Sequence, residues 1–202
     1  MKELMIHEWK DDYLKLPLDQ YILTFDDGLY SQFDGIKKIN NVFDNIEIRV
    51  YISTNILHRG NESQTWNECQ DAHERYFESG ITTDFLNYDQ LLELSKLDNV
   101  EIGIHGHNHL NLDALAKNKS LKDQLDIWND DIKEMLFSTI RLIEQRIIDI
   151  RDLKLHYCTP YNQLNSLHTA IMRKEFQMYF PYVEMIITGP DRSDIETLLK
   201  LA

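Results

Sequence analysis

Two short runs of this sequence bring ionisable side chains to the ends of strand-like segments. Asp26 and Asp27 follow Tyr21-Ile22-Leu23-Thr24-Phe25, and His105, His107 and His109 follow Val100-Glu101-Ile102-Gly103-Ile104. Both apolar runs are short and continuous, the pattern of strands buried on both faces in a parallel sheet or barrel. Gly28 lets the chain turn sharply after the acidic pair. Carboxylate oxygens are hard donors and imidazole nitrogens borderline ones, and a mixture of the two suits a single first-row divalent ion. Taken alone, Asp-Asp-Gly reads as a common turn. Its coincidence with three alternate histidines points to metal chemistry.

The elements that must carry these residues alternate. After the acidic strand, Phe33, Ile36, Ile39 and Phe43 recur at helical spacing across Ser31 to Val42, and Ile46 to Ile52 reads as the next strand. Residues 58–84 lose any clean period, an insertion that could form a lid or a rim. Asn87 caps a helix whose Leu91, Leu94 and Leu97 share a stripe, and this helix feeds the histidine strand. Ser120 caps a long amphipathic helix with Leu125, Trp128, Ile132, Met135, Leu136 and Ile140 on one face. A strand over Leu153 to Thr159, a helix over Ser166 to Phe176, a strand over Val183 to Thr188 and a terminal helix from Ser193 or Asp194 complete the pattern. Strands alternating with helices imply an α/β fold with mostly parallel strands and functional residues at their carboxyl ends.

Composition narrows the function. The chain has 202 residues, the size of one domain, and a formal net charge of −13, which argues against nucleic acid and other polyanions as partners. The charged opening MKELMIHEWKDDYLKL reads neither as a signal peptide nor as a membrane span, so the expected location is cytoplasmic and no membrane partner is expected. Cys69 and Cys158 are the only cysteines and read as reduced thiols. His7, His58, His73 and His168 read as solvated or capping side chains, without a role.

Thr24-Phe25-Asp26-Asp27-Gly28 and Glu101-Ile102-Gly103-Ile104-His105-Gly106-His107-Asn108-His109 resemble two signature motifs of the polysaccharide deacetylases, carbohydrate esterase family 4. Tyr157-Cys158-Thr159-Pro160-Tyr161-Asn162 resembles a third, in which the family usually carries Arg where Cys158 stands and Gly where Asn162 stands. The resemblance implies a deformed (β/α) barrel, left incomplete by the short tail after Asn162, and an uncovered edge would leave room for a homodimer. It implies that Asp27, His105 and His109 bind one divalent ion, Zn2+ first, with Co2+, Ni2+ or Mn2+ as alternatives. Asp26 would then be the base that takes a proton from water, and the backbone N–H of Tyr161 would hold the oxyanion. His107, Pro160 and Tyr161 would border the substrate, an N-acetylated or O-acetylated carbohydrate.

Two departures bear on catalysis. With Cys158 in place of the usual Arg, the sequence leaves Asp26 without its orienting partner. No histidine follows His168, so the late histidine that protonates the leaving amine in the family is missing, and His107 or His156 would have to replace it. These gaps and the short tail keep open a catalytically impaired carbohydrate-binding or scaffold protein on the same fold, and His105-Gly106-His107, a His-x-His at a strand end, keeps open another metal-dependent amide hydrolase.

Overall fold

The computed structural model describes residues 1–150 and 152–200. Strands β1 (Lys2–Ile6), β2 (Tyr21–Phe25), β3 (Ile48–Ile52), β4 (Val100–Ile104), β5 (Lys154–Cys158), β6 (Glu184–Thr188) and β7 (Ser193–Asp194) form one sheet, ordered β6-β5-β4-β3-β2-β1-β7. Every pairing is parallel. The connecting helices are α1 (Tyr30–Val42), α2 (Cys69–Ser79), α3 (Tyr88–Leu94), α4 (Leu112–Asn118), α5 (Leu121–Glu144), α6 (Ser166–Tyr179) and α7 (Ile195–Leu199). The fold is an α/β half-barrel: the sheet curls, and its two edges, β6 and β7, do not pair. Only residues 189–192 separate those edge strands along the chain. An extended segment advances at most about 3.3–3.6 Å per residue, so the curl must bring the two edges within roughly 18 Å of each other.

Register aligns the strand ends. Ile6 pairs with Phe25, Ile52 with Ile104, Ile104 with Tyr157 and Cys158 with Thr188. His7, Asp26, Asp27, His105 and Thr159 therefore emerge on one rim. One face of the sheet is held by a single large apolar cluster that includes Leu4, Leu23, Phe25, Val50 and Ile104 of the strands with Trp128 and Leu136 of α5. A smaller cluster of Leu29, Ile56, Ala72 and Phe85 lies under α2.

The expected elements are present with small shifts at their ends. Asn87 caps α3 through a reciprocal pair of bonds with Gln90, and Ser120 accepts from the Asp123 amide at the start of α5. The structure adds β1, α4 and β7. Residues 58–84, aperiodic in sequence, hold α2, closed by left-handed Gly80 at φ 67°.

The exit of β1 is fixed by a close approach. A Cβ on Gly35 of α1 would lie 2.4 Å from the Trp9 indole. That ring is buried, and its N–H is donated to Asp11 at 2.9 Å, so it cannot swing aside. The Trp9 amide also bonds Ser31 Oγ at 3.2 Å. Gly35→Ala should therefore destabilise the protein by about 1–3 kcal/mol, although alanine is worth about 1 kcal/mol more than glycine in a helix interior. The urea midpoint measures this, and a midpoint unchanged or raised would refute the packing argument.

Candidate metal centre

Asp27 stands just past β2, in the left-handed region at φ 74°, and Gly28 continues the turn at φ 75°. A Cβ at Gly28 would come within 3.1 Å of the Ile52 side chain, so the position excludes other residues on two grounds. This double left-handed turn takes Asp27 out of strand alternation and lets it share the rim with Asp26.

Two imidazole nitrogens converge on Asp27. Its Oδ1 lies 2.9 Å from His109 Nε2 and 3.2 Å from His105 Nε2, with all three side chains buried. His105 Nδ1 lies 3.0 Å from the Cys158 carbonyl, which leaves Nε2 facing the carboxylate. Asp27 Oδ1 and His109 Nδ1 are buried without a hydrogen-bond partner. Burial works against charge on Asp27, but the His109 and His105 imidazoles outweigh it and hold the carboxyl well below the usual range. For His105, burial is outweighed by Asp27 and Asp26, and its pKa rises. One carboxylate and two imidazole nitrogens, clustered and short of partners, fit a divalent first-row ion with coordination positions to spare.

The second carboxylate has a partner the motifs do not show. Arg192, in the short segment between β6 and β7, reaches Asp26 Oδ1 through Nη1 at 2.6 Å and Asp26 Oδ2 through Nη2 at 2.5 Å. Both side chains are 2 % exposed. The same guanidinium bonds Thr24 Oγ1 at 3.0 Å and Asn162 Oδ1 at 2.7 Å. Burial opposes charge on Arg192, but Asp26 overrides it and raises its pKa. The expectation that Asp26 lacks an orienting cation is therefore corrected. Cys158 Sγ lies 3.5 Å from Asp26 Oδ2, so the thiol sits beside the pair as a small neutral neighbour, with burial and Asp26 raising its pKa well above the usual thiol value.

His107 points away from this cluster. Its Nδ1 lies 2.7 Å from Thr54 Oγ1, and burial lowers its pKa. The turn that carries it is pinned by Asp131 of α5, which accepts from the Asn108 amide at 2.9 Å and the Asn108 side chain at 2.8 Å. Gly106, at φ 83°, passes beside Pro160. Neither His107 nor Pro160 lines the cavity over the carboxylates. Tyr161 does, at φ 55°, with its ring centroid 4.6 Å from that of His109.

That cavity holds about 590 Å3, and Asp26, Asp27, His105 and His109 form its floor. Its wall includes His7, Glu8, Cys69, His73 and Phe77. His7 and His73, read from sequence as solvated or capping, both face the site. His7 follows β1, and its carbonyl accepts from Gln32 Nε2 at 2.6 Å; the same nitrogen bonds the Asp26 carbonyl, tying two strand ends together. His73 stacks on His109 with centroids 4.7 Å apart. The sequence signal that could have found His73 was the Cys69-x-x-x-His73 spacing, one helical turn in a segment that otherwise lacks period.

No protein-family model matches the chain, and no curated protein matches it in sequence. Among solved structures it is similar to IcaB from Ammonifex degensii, with a TM-score of 0.53 and 15 % identity over 94 % of this chain and 92 % of that one. It is also similar to a de-N-acetylase from Aggregatibacter actinomycetemcomitans, with a TM-score of 0.50 and 18 % identity over 84 % of this chain and 67 % of that one. The chain thus has the fold of a solved de-N-acetylase, in agreement with the polysaccharide-deacetylase resemblance of its motifs.

Proposed function

We propose that this protein is a metal-dependent hydrolase that removes acetyl groups from an N-acetylated carbohydrate, with O-acetylated sugars as alternative substrates. The observation that carries the reading is the pairing of a three-donor cluster, Asp27, His105 and His109, with a second carboxylate held separately by Arg192. The solved de-N-acetylase of the same fold agrees with it. Asp27, His105 and His109 would hold the ion, with Zn2+ the first choice for a set of two nitrogens and one oxygen. When bound, such an ion supplies Lewis acidity toward the acyl oxygen and acidifies nearby water.

The remaining work falls to side chains. Asp26 takes the proton of the attacking water; Arg192 grips both its oxygens and Cys158 also approaches Oδ2, so Oδ1 keeps the lone pair for that proton. The Tyr161 backbone N–H faces the developing oxyanion. The leaving nitrogen needs a proton, and among the histidines lining the cavity His105 and His109 are committed to the ion, while His73 Nε2 faces Asp27. His7, on the strand end next to Asp26, is left to supply it. Water adds to the acetyl carbon, the C–N bond breaks, and acetate and a free amine leave. Arg192 answers one of the observations behind the impaired-enzyme alternative, and His7 addresses a second.

Acetate release from N-acetylglucosamine oligomers tests this directly. Metal-dependent release is expected, abolished by chelator and restored by Zn2+ or Co2+. Asp27→Ala should lose the metal, while Asp26→Asn should keep it and lose at least about 10²-fold in kcat. No metal-dependent release from amide or ester substrates would end the proposal. His7→Asn should slow the amide by about 10²-fold and an acetyl ester by much less, because an alkoxide leaves more easily than an amine. Equal losses on both substrates would exclude His7 as the acid. Arg192→Met leaves a buried carboxylate unpaired and should cost about 3–5 kcal/mol of stability by urea denaturation, part of which Asp26→Asn restores in the same background. A cost under about 1 kcal/mol would show that the pair does not hold the site together.

A further inference from the structure

We propose that Cys69 and His73 of α2 join Asp27 in a second cation site, so that the Asp27 carboxylate bridges two ions. The proposal rests on the reading of Asp27, His105 and His109 as ligands of a first ion and goes beyond it.

Cys69 and His73 are four residues apart on one helix, so their side chains leave the same face one turn apart. Ala72, on that face, packs with Leu29, Ile56 and Phe85, and this aims Cys69 and His73 at the cavity. One donor atom each from Asp27, Cys69 and His73 lies within 4.8 Å of the other two. Of the second set, Cys69 approaches the carboxylate oxygen that the first set leaves free, while His73 lies on the side of Oδ1. Cys69 Sγ is 3.3 Å from Oδ2, while His105 and His109 face Oδ1.

The orientation of His73 matches that of a ligand. Its Nδ1 bonds the Cys69 carbonyl at 3.1 Å, as His105 Nδ1 bonds the carbonyl of Cys158. Ligating histidines commonly have one ring nitrogen anchored in this way and the other left bare. The bare His73 Nε2 is buried, lacks a hydrogen-bond partner and lies 3.9 Å from Asp27 Oδ1. A wall imidazole stacked between Phe77 and His109 has no other polar contact for that nitrogen.

Thiolate, imidazole and bridging carboxylate form a softer set than the first, one that selects Zn2+ or Co2+ over Mg2+ or Mn2+. Binding breaks the Cys69 S–H bond as the sulfur–metal bond forms, and the proton passes to solvent. The start of α2 is already fixed for this: the Cys69 amide donates to Glu8 Oε2 at 2.7 Å, which ties the helix to the exit of β1.

Titration of the reduced, metal-free protein with Co2+ tests the proposal, read by elemental analysis and by the near-ultraviolet cobalt–thiolate charge-transfer band. Two equivalents per chain are expected, the second bringing the band. Cys69→Ser should lose the band and the second equivalent while keeping the first, with an unchanged far-ultraviolet circular dichroism spectrum; Cys158→Ser should keep both. A single equivalent in the unaltered protein overturns the proposal, and this result depends on no variant; a band that survives Cys69→Ser overturns it as well. No cobalt bound at all would sink the first-ion reading with it, whereas one equivalent without the band sinks the second site alone.

Discussion

The buried ion pair between Asp26 and Arg192 sets the terms for the rest of this structure. A carboxylate 2 % exposed at the end of β2 costs several kcal/mol to desolvate unless a cation with matching geometry meets it. The bidentate guanidinium is that partner, and it comes from the four residues that cross between the two sheet edges. Curl of the sheet, closure of its rim and orientation of Asp26 are therefore one event. If the crossing segment moved away, Arg192 would leave Asp26, and the carboxylate would be stranded, buried and without a cation. The outer strands are joined by those four residues, and the ion pair anchors their crossing to the end of β2.

Strain at the rim has the same logic. Among the described residues, four of the seven non-glycine residues with positive φ, namely Asp27, His109, Tyr161 and Asn162, belong to the turns around the carboxylates. Left-handed backbone costs an L-residue about 1–2 kcal/mol, and such residues persist where the surroundings over-determine them. Here the surroundings can be named. Ser53 Oγ donates to the His105 carbonyl at 3.0 Å, the Thr54 amide to Gly106 at 3.1 Å and the Asn55 amide to His107 at 3.0 Å, while Asp131 grips Asn108 from the other side. The buried Asp131 on α5 thus acts on the site without touching it, and His107 is a peg of the turn that presents its neighbours.

What the sequence disclosed, and what it hid, divides by distance along the chain. The acidic and histidine turns were legible because strand, turn and functional residue are contiguous in each, so pattern and chemistry coincide. The Asn87 cap and the stripe of α5 were legible for the same local reason. Arg192 was not: the third motif showed Cys158 where a cation was expected, and the cation occupies nearby space from 34 positions further on, a relation that exists only after folding. β1 was hidden by the charges around it, since only Leu4, Met5 and Ile6 are buried in a five-residue strand. With β1 went His7, and with the aperiodic insertion went α2 and its Cys69 and His73. A vacancy in a motif is a statement about sequence positions, whereas catalysis depends on occupied space.

The insertion itself is a wall and not a detachable flap. Its end is stitched to the acidic turn by backbone bonds from Tyr30 to Asp84 at 2.7 Å and from Leu86 to Gly28 at 2.8 Å, and α2 buries Ala72 against Leu29 and Phe85. Moving it would unpair those groups and open a core, so ligand must enter between the insertion and the opposite rim, past the exposed Phe77 of α2 and Tyr161. That entrance is acidic: Glu8, Glu68, Glu74, Asp194 and Glu196 line the cavity beside the two aspartates, with Lys10 the one cation lining it among the described residues. Under low-dielectric walls such a charge distribution repels polyanions and admits neutral or cationic ligands at lower cost. On the proposed reading, hydrolysis of an acetamide would convert a neutral group into an amine that takes up a proton in water, a charge that a cavity of this sign would stabilise.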